Sequence, residues 1–454
     1  MSGTTTIHAE TALLRDGWAS DVRITMAGGA ITVVEPGKPA APGDERAAIL
    51  LPSMPNVHSH AFQRGMAGLA ETRGPGEDTF WSWREIMYRF ALMMTPEQAE
   101  AVAAQLYMEM LEAGFGRIGE FHYLHHDRDG SHYDNLAEMA DRIAAAAAET
   151  GIALTLLPVF YAHSTFGGVE PNPGQRRFIT GLDTFERLLD ASRDSIRKAG
   201  LSDAVVGVAP HSLRAVTPDE LAAVVEMGGS GPIHIHAAEQ LREVDDCLAS
   251  LGSRPVEWLL ANAPVGANWC LIHATHMTDE ETAALARSGA VAGLCPVTEG
   301  SLGDGTFQGR SFLAAGGQFG VGSDSNVLIG VGDELRQLEY SQRLKHNQRN
   351  VLASPGQSNG RTMFDAALAG GSQALGGQAA GITLGGAASF VSLDPSHPTL
   401  AGKTGDAILD AWIFARADVD CVWVGGRKLV EGGRHVKRDA IAKRFRNVMK
   451  VLAG

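Results

Sequence analysis

The sequence predicts an α/β protein: a closed (β/α)8 barrel of the TIM type, beside a small composite β-sandwich built from both termini. Between residues 51 and 377, short apolar strand patterns alternate with helical patterns, and eight such alternations are typical of a closed parallel barrel. Residues 1–50 and 378–454 instead carry short β patterns punctuated by glycine and proline. A chain of 454 residues has room for one barrel and a smaller attached domain.

Eight apolar segments are the predicted barrel strands: 51–58, 116–122, 153–160, 204–209, 233–237, 269–273, 291–295 and 318–322. Several intervening helices have recognisable starts. Thr95, Thr217 and Thr278 each precede a helical pattern, where a threonine side chain can accept a backbone hydrogen bond from the first turn. Pro96 and Pro218 suit the first helical position, because proline has no N–H to lose there.

Composition and charge exclude several classes of protein. The formal net charge is −14, and no basic run precedes the tail at 434–446, which we expect to be a solvated helix. We therefore expect no nucleic-acid partner, and no membrane partner either, because no apolar run approaches the roughly 18 residues of a membrane span. The cysteines Cys247, Cys270, Cys295 and Cys421 have irregular spacings that favour neither disulfides nor a cysteine zinc site. With no secretory signal visible, we expect a cytoplasmic protein.

Polar side chains gather where the predicted strands end. In a barrel enzyme the active site lies at the carboxyl ends of the strands. These ends carry His58 and His60; Glu120, His122 and Tyr123; His211; His234, His236 and Glu239; His273; and Asp324. The sequence therefore predicts an active site built from several strands.

Four of these residues form a predicted metal site. His58 and His60 point to the same side of their strand, because side chains two residues apart share a face. With His236 and Asp324 they offer three imidazoles and one carboxylate, a ligand set that suits one zinc ion per chain. His234 lies one pleat deeper than His236, so we expect a buried supporting role for it.

The remaining strand-end residues predict hydrolytic chemistry. Zinc with an open position lowers the pKa of a bound water toward neutrality, which makes a nucleophile. Glu239 follows His236 by three residues, where it could move protons or simply begin a helix. His273 could stabilise the reacting water or be a core histidine, and Asp324 could also accept a proton. No G-x-S-x-G motif, P-loop or strand-linked G-x-G-x-x-G supports another scheme.

Residues 55–60, Pro-Asn-Val-His-Ser-His, resemble the first-strand signature of the amidohydrolase superfamily. His236-x-x-Glu239, His273 and Ser323-Asp324 resemble its deaminase branch, and the likeness covers nearly the whole chain. The resemblance implies one zinc ion with four protein ligands: His58, His60, His236 and Asp324. It also implies that the fifth-strand glutamate shuttles protons, and that the flanking β segments form the composite sandwich of that superfamily.

Longer stretches resemble the subfamily whose substrate is N-formimino-L-glutamate in histidine degradation: 58–64, 80–85, 120–126, 211–216 and 234–240. The resemblance implies deimination to N-formyl-L-glutamate and ammonia. Water activated at zinc would attack the formimino carbon, Glu239 would carry a proton to the leaving nitrogen, and His273 and Asp324 would stabilise the intermediate. The implied substrate-binding residues are Gln63, Arg84, Tyr123, His211 and Arg214.

The two arginines agree with a small dicarboxylate partner, because a guanidinium can pair with a carboxylate through two parallel hydrogen bonds. Taken without the resemblance, Arg84 and Arg214 could equally form ordinary salt bridges. Two places depart from the subfamily pattern: Asn326, where histidine is more frequent, and Gly300-Ser301. We expect both to face the pocket. Ala388-Ser389 also lacks the aspartate common at that β turn.

Two alternatives stay open at this stage. One is another deaminase of the branch, acting on a purine, a pyrimidine or an adenosine derivative. The other is a barrel that has lost catalysis and serves as an assembly protein. Iron, manganese or nickel could occupy the same ligands as zinc, and a homodimer is the expected assembly.

Overall fold

The computed structural model of the protein describes residues 4–452. The strands are β1 (Thr5–Leu14), β2 (Gly17–Ala27), β3 (Ala30–Glu35), β4 (Glu45–Pro52), β5 (Met54–Ser59), β6 (Phe115–His122), β7 (Ala153–Phe160), β8 (Val205–Val206), β9 (Ala209–Pro210), β10 (Ile233–Ala237), β11 (Trp269–His273), β12 (Val291–Leu294), β13 (Gln318–Val321), β14 (Phe390–Leu393), β15 (Val419–Val424), β16 (Arg427–Glu431) and β17 (Arg434–His435).

The α-helices are α1 (Phe80–Met93), α2 (Pro96–Glu112), α3 (Glu138–Thr150), α4 (Leu182–Lys198), α5 (Pro218–Gly228), α6 (Leu241–Leu251), α7 (Pro255–Asn262), α8 (Asp279–Ser288), α9 (Pro296–Leu302), α10 (Gly309–Ala314), α11 (Val331–His346), α12 (Asn359–Leu375), α13 (Asp406–Ala415) and α14 (Arg438–Leu452). Short 3-10 helices occupy Ala61–Met66, Pro173–Gln175 and Pro398–Leu400.

The two ends of the chain form one sheet with the strand order β17-β16-β15-β14-β4-β1-β2-β3. The ends meet where β4 pairs antiparallel with β14, with Leu50 opposite Ser392. One face of this sheet buries its own apolar cluster, which includes Ile7, Ile24 and Trp423. The terminal segments are therefore stabilised by pairing with each other, far apart as they are in sequence.

The second sheet is parallel and closes into the predicted barrel. Its order is β10-β11-β12-β13-β5-β6-β7-β8, and β9 also pairs with β7, so β8 and β9 act as two halves of one strand. Closure comes from backbone hydrogen bonds of β10: His234 donates to the Val208 carbonyl at 3.1 Å, and His236 donates to the His211 carbonyl at 3.0 Å. The predicted fold class, an α/β barrel with a second sheet from both termini, is confirmed.

Two predicted strands differ from those in the structure. The segment 51–58 is divided, because β4 ends in the terminal sheet at Pro52 and β5 starts in the barrel at Met54. The segment 204–209 is interrupted at Gly207, where a side chain would meet the Pro232 carbonyl oxygen at 2.3 Å. A close backbone approach of this kind is a usual reason for glycine within a strand.

The three predicted helix starts are present. The side chains of Thr95, Thr217 and Thr278 accept hydrogen bonds from the third residue of α2, α5 and α8 respectively. The basic tail differs from the solvated helix that we expected. It begins as strand β17, and α14 then packs on α2, with Ile441 fully buried and Arg438 paired with Glu112.

Two general features concern the whole described chain. Among residues 4–452, no helix combines the length and the apolar character that crossing a membrane requires. All four cysteines are free and buried.

The contact between α12 and the barrel provides a test of the packing. A Cβ atom at Gly370 would lie 2.0 Å from the Phe319 carbonyl oxygen on β13. We expect Gly370→Ala to lower the free energy of unfolding by about 1–3 kcal/mol, because the backbone of α12 or of β13 must shift to make room for the methyl group. Chemical denaturation measures this. Gly266→Ala is the control, since a Cβ atom there would lie 3.9 Å from the nearest atom. Equal stability of the two variants would contradict the close contact between α12 and β13.

Candidate active site

The ends of β5, β10 and β13 bring the predicted metal ligands together. His58, His60, His236 and Asp324 are buried, and each contributes one potential ligand atom to a group in which these atoms lie within 4.8 Å of one another. The Nε2 atom of His58 is 3.1 Å from Nε2 of His236 and 3.4 Å from Oδ1 of Asp324. The Nε2 atom of His60 is 3.3 Å from the same Asp324 oxygen.

The protonation of these imidazoles suits a metal ion. The Nδ1–H of His60 donates to the Phe121 carbonyl at 2.9 Å, and that of His236 donates to the His211 carbonyl at 3.0 Å. Both Nε2 atoms therefore present lone pairs to the group. Burial lowers the pKa of His60, and lowers the pKa of His58 and of His236 well below the usual histidine value.

Three neutral nitrogens and a carboxylate thus crowd one buried place, with no positive charge among the four. Such lone pairs are unfavourable beside one another unless a cation lies between them, so the donor set fits one divalent metal ion. His273, Cys295 and Asp324 form a second group of possible ligands. Burial and nearby carboxylates raise the pKa of Cys295 well above its usual value, which disfavours the thiolate that a metal needs.

Glu239 and His273 lie beside the four potential ligands. Oε1 of Glu239 is 3.6 Å from Nε2 of His273, which in turn is 3.8 Å from Oδ2 of Asp324. Burial raises the pKa of Glu239 to about 7, although the His273 and Arg214 charges oppose the rise. A carboxyl group with such a pKa can both accept and donate a proton near neutral pH.

The acidic neighbours of His273 favour the protonated form of its ring. Burial alone would lower the pKa of His273, but the charge of Glu239 and the hydrogen bond with Glu299 outweigh it and raise the pKa to about 10. The Nδ1 atom of His273 is 3.3 Å from Oε1 of Glu299, which also accepts the Cys295 backbone N–H at 2.9 Å. The ring is thereby oriented with Nε2 toward Glu239.

The other side of the cavity presents hydrogen-bonding atoms without partners. Within residues 4–452, Nε of Arg84, Nε of Arg214 and Oε1 of Gln63 are buried and make no hydrogen bond. The amide of Gln63 donates to the Tyr123 hydroxyl at 3.0 Å, which fixes its other end toward the cavity. Buried unpaired guanidinium donors are costly, so the two arginine Nε–H groups indicate an anionic ligand. The Gln63 oxygen is instead free to accept a hydrogen bond.

The predicted residues line one cavity, with two exceptions. Its wall contains His60, Gln63, Arg84, Tyr123, His211, Arg214, His236, Glu239 and Asp324. His58 and His273 lie fully buried behind that wall, at the distances given above. The structure therefore brings the eleven predicted side chains together, and their roles remain predictions.

Other cavity residues escaped the sequence analysis. They are mostly aromatic or apolar: Phe80, Trp83, Met87, Tyr88, Tyr161, Phe178 and Leu302. Tyr161 directly follows β7, so the rule applied to the other strand ends would have found it. Tyr88 and Phe178 lie outside the barrel strands, and no local sequence signal places them here.

Asn326, one of the departures from the subfamily pattern, does not line the cavity as we expected. It is fully buried, and its side-chain amide donates to the His60 carbonyl at 3.0 Å and to the Asp324 carbonyl at 2.9 Å. Its Oδ1 accepts from the Ser323 hydroxyl at 2.6 Å, and that hydroxyl accepts from the Asn56 amide at 2.8 Å. This Asn56–Ser323–Asn326 network joins the ends of β5 and β13, which carry three of the four potential ligands.

The second departure also lies away from the cavity. Gly300 and Ser301 are exposed on α9, and only Leu302 of this turn reaches the cavity wall. Neither departure therefore places an unexpected side chain among the cavity residues.

Strained backbone is concentrated at this end of the barrel. Ala238, His273, Ala274, Asp324 and Asn326 all have positive φ angles, between 43° and 68°. Residues other than glycine rarely adopt this conformation, and it persists only where surrounding contacts enforce it. The strain indicates a site whose geometry was favoured over local stability.

A barrel with a buried three-histidine, one-aspartate group and an adjacent carboxyl acid defines a class of metal-dependent hydrolases. The chain belongs to the amidohydrolase family, whose sequence profile matches residues 49–429. A second profile, described as the N-terminal domain of formimidoylglutamate deiminase HutF, matches residues 4–48. The chain is also 50% identical to formimidoylglutamate deiminase of Pseudomonas aeruginosa, over 98% of each chain.

A more distant relative and two solved structures are also similar to this chain. A 5-methylthioadenosine/S-adenosylhomocysteine deaminase of Natronomonas pharaonis is 26% identical, over 86% of this chain and 83% of that protein. The crystal structure of an amidohydrolase from Brucella melitensis has a TM-score of 0.96 and 60% identity, covering 99% of this chain and 100% of that one. A zinc complex of atrazine chlorohydrolase from Arthrobacter aurescens, with 20% identity over 98% and 100% of the chains, shares the fold, with a TM-score of 0.82.

The Asn56–Ser323–Asn326 network can be tested with Asn326→Ala. We expect the metal-free variant to lose about 2–3 kcal/mol of unfolding free energy, because several buried partners lose their hydrogen bonds. We also expect the variant to release its metal faster. The rate can be measured with a chelator that changes colour when it binds the metal. Asn262→Ala is the control, since it removes one half-buried bond to the Trp258 carbonyl. Unchanged metal release in Asn326→Ala would contradict a positioning role.

Proposed function

We propose that the protein hydrolyses N-formimino-L-glutamate to N-formyl-L-glutamate and ammonia. One observation carries this proposal: a single cavity is lined by three of the four potential metal ligands and Glu239, together with two arginines whose Nε–H donors are buried and unpaired within the described residues. The Pseudomonas aeruginosa relative, a formimidoylglutamate deiminase, supports the same substrate. Reaction and substrate are thus proposed for this chain on both chemistry and homology.

The substrate carries two carboxylates at one end and the formimino group at the other. We assign Arg84 and Arg214 to the carboxylates, because their Nε–H groups are buried and unpaired within the described residues. Gln63 and Tyr123 complete this side of the site as a hydrogen-bonded pair. Burial and the Arg214 charge lower the pKa of His211 well below its usual value, so the ring binds as a neutral group.

We assign His58, His60, His236 and Asp324 as ligands of one metal ion, with zinc as the first choice. When bound there, the ion supplies Lewis acidity, which lowers the pKa of a coordinated water and polarises the formimino group. Iron, manganese and nickel can use the same ligand types, so the native metal needs direct analysis.

Proton movement falls to the residues beside the ion. As the C–O bond forms at the formimino carbon, Glu239 takes a proton from the attacking water. It then gives that proton to the terminal nitrogen, which becomes an amino group as the C=N double bond opens. The hydroxyl of the resulting tetrahedral intermediate next loses its proton to Asp324, and this second proton reaches the same nitrogen through Glu239. The C=O bond therefore forms as the C–N bond breaks and ammonia leaves. The cationic His273, with Nε2 directed toward Glu239 and Asp324, stabilises negative charge that develops during the attack. Asp324 serves as a second proton acceptor.

A deaminase that acts on a ring substrate is the competing assignment. The aromatic side chains of the cavity wall, such as Trp83, Tyr161 and Phe178, could stack on a purine or pyrimidine. A neutral ring, however, offers the buried Nε–H donors of Arg84 and Arg214 ring nitrogens or carbonyl oxygens but no negative charge to balance two guanidinium groups. The geometry therefore favours a dicarboxylate.

We further propose that the protein works in the cytoplasm. Its four cysteines are free thiols, which agrees with a reducing compartment. A homodimer remains our expectation for the assembly and can be tested by light scattering of the purified protein.

The direct test is to incubate metal-replete protein with N-formimino-L-glutamate and identify the products. We expect equal amounts of ammonia and N-formyl-L-glutamate, one metal ion per chain by elemental analysis, and loss of activity after chelation that zinc restores. Guanine, cytosine and adenosine serve as comparison substrates. Ammonia release from one of these alone would contradict the proposed substrate.

Glu239→Gln tests the proton-transfer role separately. Glutamine has nearly the same shape but cannot exchange a proton, so we expect turnover to fall by at least about a hundredfold while metal content stays the same. The control is Glu226→Gln on the exposed face of α5, which should retain full activity. Near-normal turnover in Glu239→Gln would exclude the role.

A further inference from the structure

One tryptophan, Trp81, contacts two arginines of the cavity wall and a third arginine outside it. The centroid of the Trp81 ring lies 4.6 Å from the guanidinium carbon of Arg84, 4.7 Å from that of Arg242 and 5.7 Å from that of Arg214. Arginine is attracted to the face of an indole ring at such distances. Three like charges around a single ring repel one another, however, so this arrangement is favoured when an anion is nearby.

The three arginines differ in depth. Arg214 is buried, with 5% of its side chain exposed, and Arg84 is half-buried; both line the cavity. Arg242 has 66% of its side chain exposed and is not part of the cavity wall. It lies in the first turn of α6, which begins just after Glu239. Positive charge therefore extends from the solvent, past Trp81, to the buried end of the site.

Among residues 4–452, Arg242 has one acidic partner, and the contact is weak. Nε of Arg242 is 3.6 Å from Oδ2 of Asp246, one helical turn along α6, and 42% of the Asp246 side chain is exposed. An exposed ion pair at this separation contributes little and is readily replaced by another carboxylate. The Arg242 guanidinium is thus available to a ligand that approaches the cavity.

We propose that Arg242 and Trp81 form an outer carboxylate-binding site at the cavity mouth. A carboxylate of the substrate pairs with Arg242 first and then passes to Arg84 and Arg214, which hold it for reaction. The identity of the dicarboxylate rests on the proposed function; the outer site itself rests on the arginines and Trp81. Such a site answers a specific difficulty, because a chain with net charge −14 repels anions at long range.

The test compares two variants with opposite expected effects. Arg242→Gln removes the outer charge, and we expect kcat/KM for N-formimino-L-glutamate to fall about threefold to tenfold at low salt, with kcat within about twofold. Asp246→Asn removes the competing carboxylate, and we expect kcat/KM to rise about twofold. Both differences should become much smaller at about 0.5 M salt, because the screening length falls from about 10 Å at 0.1 M to roughly 4 Å.

A binding measurement makes the test independent of turnover. Titration calorimetry with N-formyl-L-glutamate should show the highest affinity in Asp246→Asn, a lower affinity in the unaltered protein and the lowest in Arg242→Gln. The affinity of Arg242→Gln should also depend less on salt than that of the unaltered protein. Arg193→Gln is the matched control, because Arg193 is an exposed helical arginine paired with Asp190 on α4. It should change neither the affinity nor its salt dependence.

The outcomes separate the outer site from the proposed function. If the unaltered protein does not release ammonia from N-formimino-L-glutamate, the function fails, and calorimetry still decides whether Arg242 binds a dicarboxylate. Equal salt dependence of Arg242→Gln and the unaltered protein overturns the outer site. A parallel fall in kcat also overturns it, because that result indicates a disturbed Glu239 loop. Weakened, less salt-dependent binding with normal kcat supports it.

Discussion

The exclusion of water from the converging strand ends is the constraint on which the rest of the site depends. Burial keeps His58, His60 and His236 neutral, so that their lone pairs are available to a metal ion. The same burial raises the pKa of Glu239 to about 7, which a solvated glutamate would not reach. One physical cause therefore prepares both the ligands and the acid–base group.

A site of this kind requires a rigid support, because close-packed polar groups would otherwise separate or take up water. Backbone carbonyls fix the rings of His60 and His236, and the Asn56–Ser323–Asn326 network joins the ends of β5 and β13. Glu243 adds a third restraint by accepting the backbone N–H groups of Ala238 and Glu239, at 3.2 and 3.1 Å. These bonds offset the strained positive φ angles found at the same strand ends.

The net charge of the whole chain and the charge of the carboxylate-binding side of its cavity have opposite signs. The chain carries a net charge of −14, and the acidic groups near His273 extend this sign into the catalytic side of the cavity. Opposite them, Arg84 and Arg214 provide a local positive region, with Arg242 outside it. The carboxylates of the substrate therefore find their positive partners at one end of the cavity, away from the metal-ligand group, which favours one orientation of the bound molecule.

The sequence by itself determined the barrel, because apolar periodicity repeats with each strand and helix, and capping residues mark the helix starts. It also determined which polar residues meet, since the strands of a parallel barrel end at one face. It could not determine where β4 gives way to β5, because one continuous apolar segment serves two sheets. Nor could it reveal that Asn326 joins strands instead of lining the cavity, or that Trp81 gathers three arginines. Such contacts depend on side-chain direction between segments distant in sequence, and only tertiary packing decides that direction.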